Sequence, residues 1–159
     1  MDELRIPTVT VSANVTLTDG RKFPGRLFVP AAARRHAGSP RASEWLNEPA
    51  EFFAFLPDDS REPIMLNKSE VLFVSVPAEA NGGGSGDEVD TLRPSVEVEC
   101  AGRRFEGHLA IDMPAGQMRV LDYLNRPERF LTLRDGLRHH LLRKSGITRV
   151  FDKGRRDQS

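Results

Sequence analysis

The sequence predicts a mainly β protein: two tandem small barrels of five short strands, each with a short helix inserted between its second and third strands. Two observations predict it. The stretch "GRKFPGRL", Gly20 to Leu27, returns as "GRRFEGHL", Gly102 to Leu109, and two further blocks recur downstream in the same order. At the entry of each copy apolar residues alternate with polar ones, and period two marks a half-buried strand.

The second recurring block is "RASEWLNEPAEFFAFL", Arg41 to Leu56, against "RVLDYLNRPERFLTLR", Arg119 to Arg134. Trp45 stands opposite Tyr123 there, and Glu44 opposite Asp122. The third is "LNKSEVLFV", Leu66 to Val74, against "LRKSGITRV", Leu142 to Val150. Because the offset falls from 82 to 78 to 76, the second copy is shortened twice, and both losses fall in connections. Connections tolerate such losses because little packs on them. Three collinear blocks identify a duplication.

The first strand places Val9, Val11, Ala13, Val15 and Leu17 on one face, and the second copy repeats this with Val96, Val98 and Cys100. Matching the inward faces requires one residue fewer in the second hairpin, since a one-residue slip would invert the strand. Cys100 then replaces Leu17 and reads as a buried small hydrophobe. Asp-Gly in "TDGRK" signals the hairpin turn. Gly25 and Gly107, inside the second strands, mark bends of the kind barrel corners need. Ser39 followed by Pro40 predicts the start of the helix, and Asn47 can close it in a left-handed conformation before Pro49. "EFFAFL", "PIMLN" and "VLFVSV" are the remaining strands, matched by "RFLTL", "HHLLR" and "ITRVFD". "NKSE" and "RKSG" make the turn before the last strand.

Residues 1–77 form the first repeat and 96–153 the second, with a polar tail at 154–159. Between the repeats, residues 78–95 are rich in Gly, Ser and acidic side chains and predict a flexible linker. A unit of this size is marginal alone, so its strand edges need closure, the sister repeat or another chain.

Lys plus Arg equals Asp plus Glu at 23 each, with sums of −1 over residues 1–77, −3 over 78–94 and +4 over 95–159. That surplus is too small to argue for nucleic acid unaided. The acidic, non-apolar start and the short apolar runs predict a cytoplasmic protein with no membrane association. One cysteine excludes an internal disulfide and a cysteine-cluster zinc site.

"VTLTDGRKFPGRL" resembles the first signature of the Sm-like (LSm) superfamily: an alternating strand, a Gly, a second Gly five residues on, then Leu. "DYLNRPERF" continues it with Asp122, Leu124, Asn125 and Phe130, and "SEWLNEPAEFF" with Glu44 and Asn47. "LNKSEVLFV" and "LRKSGITRV" are similar to the second signature, although Lys-Ser replaces its usual Arg-Gly or Lys-His. Two copies in one chain and an inserted helix also depart from the family's pattern. Glycine-bounded hairpins of this kind occur in other SH3-like barrels too.

The resemblance implies single-stranded RNA binding at Asn47 and Lys68 in the first repeat and at Asn125 and Lys144 in the second. An Asn can read a base edge and a Lys can meet phosphate. The alternative is that both Asn residues cap helices and both Lys-Ser pairs make turns. Arg34-Arg35-His36 and Arg103-Arg104 could meet phosphate or simply be solvated. His139 and His140, adjacent on a strand, face opposite sides and cannot share one metal. No nucleophile has a motif partner, so neither an enzyme nor a cofactor is expected. The leading expectation is a non-catalytic binding or scaffold protein that self-associates as a dimer or ring. RNA binding is the alternative, and a nucleotide-sensing regulator the third.

Overall fold

In the computed structural model, which describes residues 8–30, 42–80, 94–109 and 120–154, the chain is mainly β. The first repeat contributes β1 (Thr8–Leu17), β2 (Lys22–Pro30), α1 (Ala42–Leu46), β3 (Phe52–Pro57), β4 (Ile64–Asn67) and β5 (Val71–Pro77). The second contributes β6 (Ser95–Cys100), β7 (Arg103–Leu109), α2 (Val120–Leu124), β8 (Phe130–Asp135), β9 (Arg138–Arg143) and β10 (Ile147–Gly154). Single 3-10 turns at Lys68–Glu70 and Lys144–Gly146 precede the last strand of each repeat. Residues 78–80 of the expected linker make another such turn and Ser95 opens β6. Residues 81–93, Ser39, Pro40 and the Arg34-Arg35-His36 cluster lie outside the described residues.

All ten strands join one antiparallel sheet in the order β10-β6-β7-β8-β9-β5-β1-β2-β3-β4. The sheet is not closed; β10 and β4 are its edges. Each repeat supplies the same internal order: fifth, first, second, third, fourth strand. The two halves meet where β5 of the first repeat pairs with β9 of the second, from Phe73↔Leu142 to Pro77↔Arg138.

The one-residue deletion in the second hairpin acts as the alternation demands. Val15 pairs with Phe23 and Ala13 with Gly25, just as Val98 pairs with Phe105 and Val96 with Gly107. Leu17 and Cys100 end these strands at equivalent places and both are buried. Even the irregularity is copied. Leu17 pairs with Val71 and Thr16 with Phe73, one residue being skipped on β5. Cys100 with Ile147 and Glu99 with Arg149 repeat that skip on β10. A bulge of this type bends the strand and increases its twist.

Two hydrophobic clusters fill the interior, and each draws on both repeats. The first, built on Val11, Val15, Leu27, Leu46, Phe53, Phe55 and Val74, also takes in Phe130 and Leu141. The second, built on Val96, Val98, Cys100, Leu109, Leu131 and Leu133, takes in Leu72 and Phe73. Neither half therefore owns a complete core. Full burial of a large apolar side chain is worth about 1.5–3 kcal/mol, so this exchange is a major part of what holds the halves together.

Gly25 and Gly107 sit where the backbone of the next strand passes closest. A Cβ on Gly25 would overlap the Leu56 carbonyl oxygen and the Phe55 ring, and one on Gly107 would overlap the Arg134 carbonyl. The contact partners are equivalent residues of β3 and β8. Each glycine thus permits a close approach of the neighbouring strand, at the position where the sequence suggests a bend. Gly25→Ala and Gly107→Ala are each expected to cost about 2–3 kcal/mol, since backbone rather than a flexible side chain must give way. Urea denaturation of each variant measures this.

Candidate functional site

The structure places Asn47 and Asn125 in the turn between helix and third strand, and the side chains of Lys68 and Lys144 reach that turn from the 3-10 turns before the last strands. α1 ends with the Asn47 N–H donating to the Ser43 carbonyl (3.0 Å) and the Glu48 N–H to that of Trp45 (3.2 Å). α2 ends identically, from Asn125 to Leu121 (3.2 Å) and from Arg126 to Tyr123 (3.2 Å). Among the described residues only Ala101 is a non-glycine with positive φ, so neither Asn takes the left-handed closing conformation that the sequence suggests. Ordinary backbone hydrogen bonds close both helices, and the side chain of Asn47 is free for another task.

That task is a clasp between the repeats. The Asn47 side-chain oxygen accepts from the Phe130 N–H at 2.8 Å, and its side-chain nitrogen donates to the Phe130 carbonyl at 3.3 Å. One amide therefore satisfies both backbone groups of the residue that opens β8. Asn125 is exposed, and its side chain has no such partner among the described residues.

Lys68 is 1% exposed, and its ammonium donates to the Glu48 carbonyl at 2.8 Å. Lys144 donates to the equivalent Arg126 carbonyl at 2.6 Å. Their backbone N–H groups repeat the pattern, donating to Glu51 and Arg129 carbonyls, each at 2.8 Å. Burial pushes both ammonium pKa values below the ordinary lysine value; Arg129 adds to this at Lys68, while Glu48 and Glu51 oppose it. The pair thus pins the helix–strand turn to the 3-10 turn in each repeat. Asn67 caps the first of these turns, its side-chain oxygen accepting from the Ser69 N–H at 2.8 Å.

Further polar contacts cross the seam beside the clasp. Arg143 Nε donates to the Val71 carbonyl (2.6 Å), and the Arg129 guanidinium meets the Glu51 carboxylate (3.3 Å). The Ala78 N–H donates to the Leu137 carbonyl at 2.7 Å. Ser75 Oγ and His140 Nδ1 lie 2.7 Å apart, and His140 Nε2 is 3.5 Å from Asp135 Oδ2. The His140 ring also leans on Phe105, with centroids 5.2 Å apart. His139, on the other face of β9, is buried and accepts from Arg134 Nε at 3.2 Å.

The two imidazoles are therefore held separately, and no cluster of metal-ligating side chains exists among the described residues. Burial pushes the Cys100 thiol pKa up, the direction that disfavours the reactive thiolate. Arg103 lies over the Phe73 ring (5.2 Å) and Arg104 meets Glu97 (3.0 Å), so the second basic cluster is engaged locally. No described helix is long and apolar enough to cross a membrane. Comparison of the chain with protein-family models, with curated proteins and with solved structures finds no match.

Sequence reasoning missed the clasp and the crossing contacts of Arg143, Glu51 and Ser75. Only Glu51 carried a signal, because Arg129 of opposite charge occupies its aligned position in the second repeat.

Asn47→Ala is expected to destabilise the protein by about 2–3 kcal/mol, since two backbone groups lose their partner. Asn125→Ala is expected to stay within about 0.5 kcal/mol, as exposed positions do. Chemical denaturation of dilute samples measures both.

Burial holds the His140 pKa below its ordinary value of 6.5, although Asp135 acts in the opposite direction. The unfolded chain then binds a proton that the folded one refuses. The stabilising contribution is complete above about pH 6.5 and is lost as pH falls towards the lower, folded-state pKa. Melting temperature is expected to drop between pH 7.5 and 5, and the slope to flatten in His140→Gln.

Proposed function

We propose that this chain is a non-catalytic scaffold whose tandem small β-barrels, each carrying a short helix before its third strand, associate through their strand edges, in keeping with its resemblance to the Sm-like superfamily. The observation that carries this reading is the seam itself. Within one chain, two barrel-sized units already join edge to edge through β5 and β9, and the matching edges β4 and β10 stand unpaired at the two ends of the sheet. Free edges present rows of unsatisfied N–H and C=O groups that another strand can complete. Each edge strand carries an exposed large hydrophobic residue, Met65 on β4 and Phe151 on β10, and Phe52 on the adjoining β3 is exposed as well.

Single-stranded RNA is the other partner that the resemblance implies. The assembly reading is favoured over it because both candidate lysines already donate to backbone carbonyls. A nucleotide-sensing role draws on the two Arg clusters: Arg34-Arg35-His36 falls outside the described residues, and Arg103 and Arg104 are engaged with Phe73 and Glu97. Multi-angle light scattering over a concentration series tests the proposal. The expected mass is a multiple of the chain mass that dissociates on dilution. A single-chain mass up to the highest concentration attainable overturns it.

A further inference from the structure

We propose that the β5·β9 seam is a joint that acid opens from one end only: protonation of His140 frees the end at residues 75–78, and the Val71 end stays fastened. The two ends differ in chemistry. At the Val71 end, Arg143 Nε donates to the Val71 carbonyl (2.6 Å). Asn47 clasps Phe130, which is the β8 partner of Arg143. Guanidinium, amide and backbone groups keep their charge from about pH 5 to 8, so these contacts are indifferent to acid.

At the other end the backbone holds less. Pro77, opposite Arg138, has no N–H to give the ladder, and the Ala78 N–H donates to the Leu137 carbonyl at 2.7 Å. Ser75 and His140 oppose each other, with Oγ and Nδ1 2.7 Å apart. Asp135, which closes β8, stands 3.5 Å from Nε2, and the Phe105 ring of β7 lies against the imidazole. The charged groups that act on His140 are Asp135, Arg138 of its own strand and Arg103 of β7. Arg103 lies over the Phe73 (5.2 Å) and Phe105 (5.9 Å) rings. The His140 side chain is left 14% exposed.

Neutral His140 suits these neighbours. With the proton on Nε2 towards Asp135, Nδ1 accepts from the Ser75 hydroxyl. A second proton makes both ring nitrogens donors, so the hydroxyl must turn to accept and its own hydrogen loses that acceptor. The new charge also joins Arg138 and Arg103. Burial opposes the proton most, the two guanidiniums add to that, and the largely exposed Asp135 offsets them only in part. Separation of the strands at this end returns the ring to water, where the charge is no longer costly. The closed joint thus binds the proton more weakly than the open one, and by reciprocity acid favours the open one. Closure is complete above about pH 6.5, the ordinary histidine value, and weakens as pH falls.

In the first repeat Ile64 opposes Phe55 as His140 opposes Leu133, so the device belongs to the seam alone. The stability lost in acid is thereby concentrated at one end of one strand pair. Opening bares N–H and C=O groups of both strands, an edge that another extended chain can complete.

Amide hydrogen exchange of the dilute full chain, followed by NMR between pH 7.5 and 5, tests this. After correction for intrinsic exchange, protection at residues 75, 76, 78 and 138–140 is expected to fall about tenfold more than at 71–73 and 142–143, the scale of one coupled proton. Equal losses at both ends, or none at residues 75–78, overturn the proposal. His140→Gln cannot take the proton and is expected to remove the difference; a difference that persists overturns the proposal too. If that variant does not fold, Asp135→Asn and Arg138→Gln replace it. Asp135→Asn removes a group that favours the proton on the closed joint and is expected to enlarge the acid loss. Arg138→Gln is expected to reduce it, and identical pH profiles in the two variants overturn the joint. The readout is on the single chain, so its failure leaves edge association standing, and the reverse holds.

Discussion

The structure depends on one pairing: the fifth strand of the first repeat lies against the fourth strand of the second. A five-stranded unit of this length buries a smaller share of its surface than a larger domain does and is marginal alone. The seam resolves that by mutual completion. Phe130 and Leu141 enter the cluster of the first repeat, and Leu72 and Phe73 enter that of the second. Removing either half would expose apolar surface on both sides of the cut.

Around this apolar exchange the polar contacts supply register. Hydrophobic packing is non-directional and by itself tolerates slippage along a strand. Asn47 removes that freedom by binding the N–H and the carbonyl of a single residue, Phe130, and Arg143 adds a bond to the Val71 carbonyl. Lys68 and Lys144 do a different job. They fasten the helix–strand turn within each repeat, and so hold Asn47 at the height from which it reaches the neighbouring strand. The Asn and Lys form a unit in each repeat: one locates the turn, and in the first repeat the other uses it.

Much of this was legible in the sequence. The repeat, the strand faces and the place of Cys100 follow from alternation and offset, because period two ties each side chain to a face. The glycines at 25 and 107 stand out as bend sites in the sequence, and the structure adds the close approach of the Leu56 and Arg134 backbone beside them. What alternation cannot convey is a strand's lateral neighbour. It names the face a residue occupies and says nothing of which strand lies beside it, so the β5·β9 seam and the open sheet were out of reach. Asn47 shows the same limit. Its neighbours Leu46 and Pro49 suggest a helix-closing residue, but its partner Phe130 lies 83 positions away. A local propensity was outcompeted by a long-range pair of hydrogen bonds that left no trace in the adjacent residues.

Divergence between the copies carries the last piece of information. When a repeat packs on its own duplicate through one step of rotation, the same position can meet itself across the seam. Position 51 of the first repeat and 129 of the second are such a pair, 3.3 Å apart at their charged atoms. Had both copies kept Glu, or both Arg, two like charges would face each other, at a cost comparable to the gain of an opposite pair. Substitution in one copy alone removes the conflict. The residues that act within a repeat, Gly25 and Gly107 or Lys68 and Lys144, have no such reason to differ and have not. These glycines and lysines each serve their own repeat, whereas the self-facing pair at the seam is complementary.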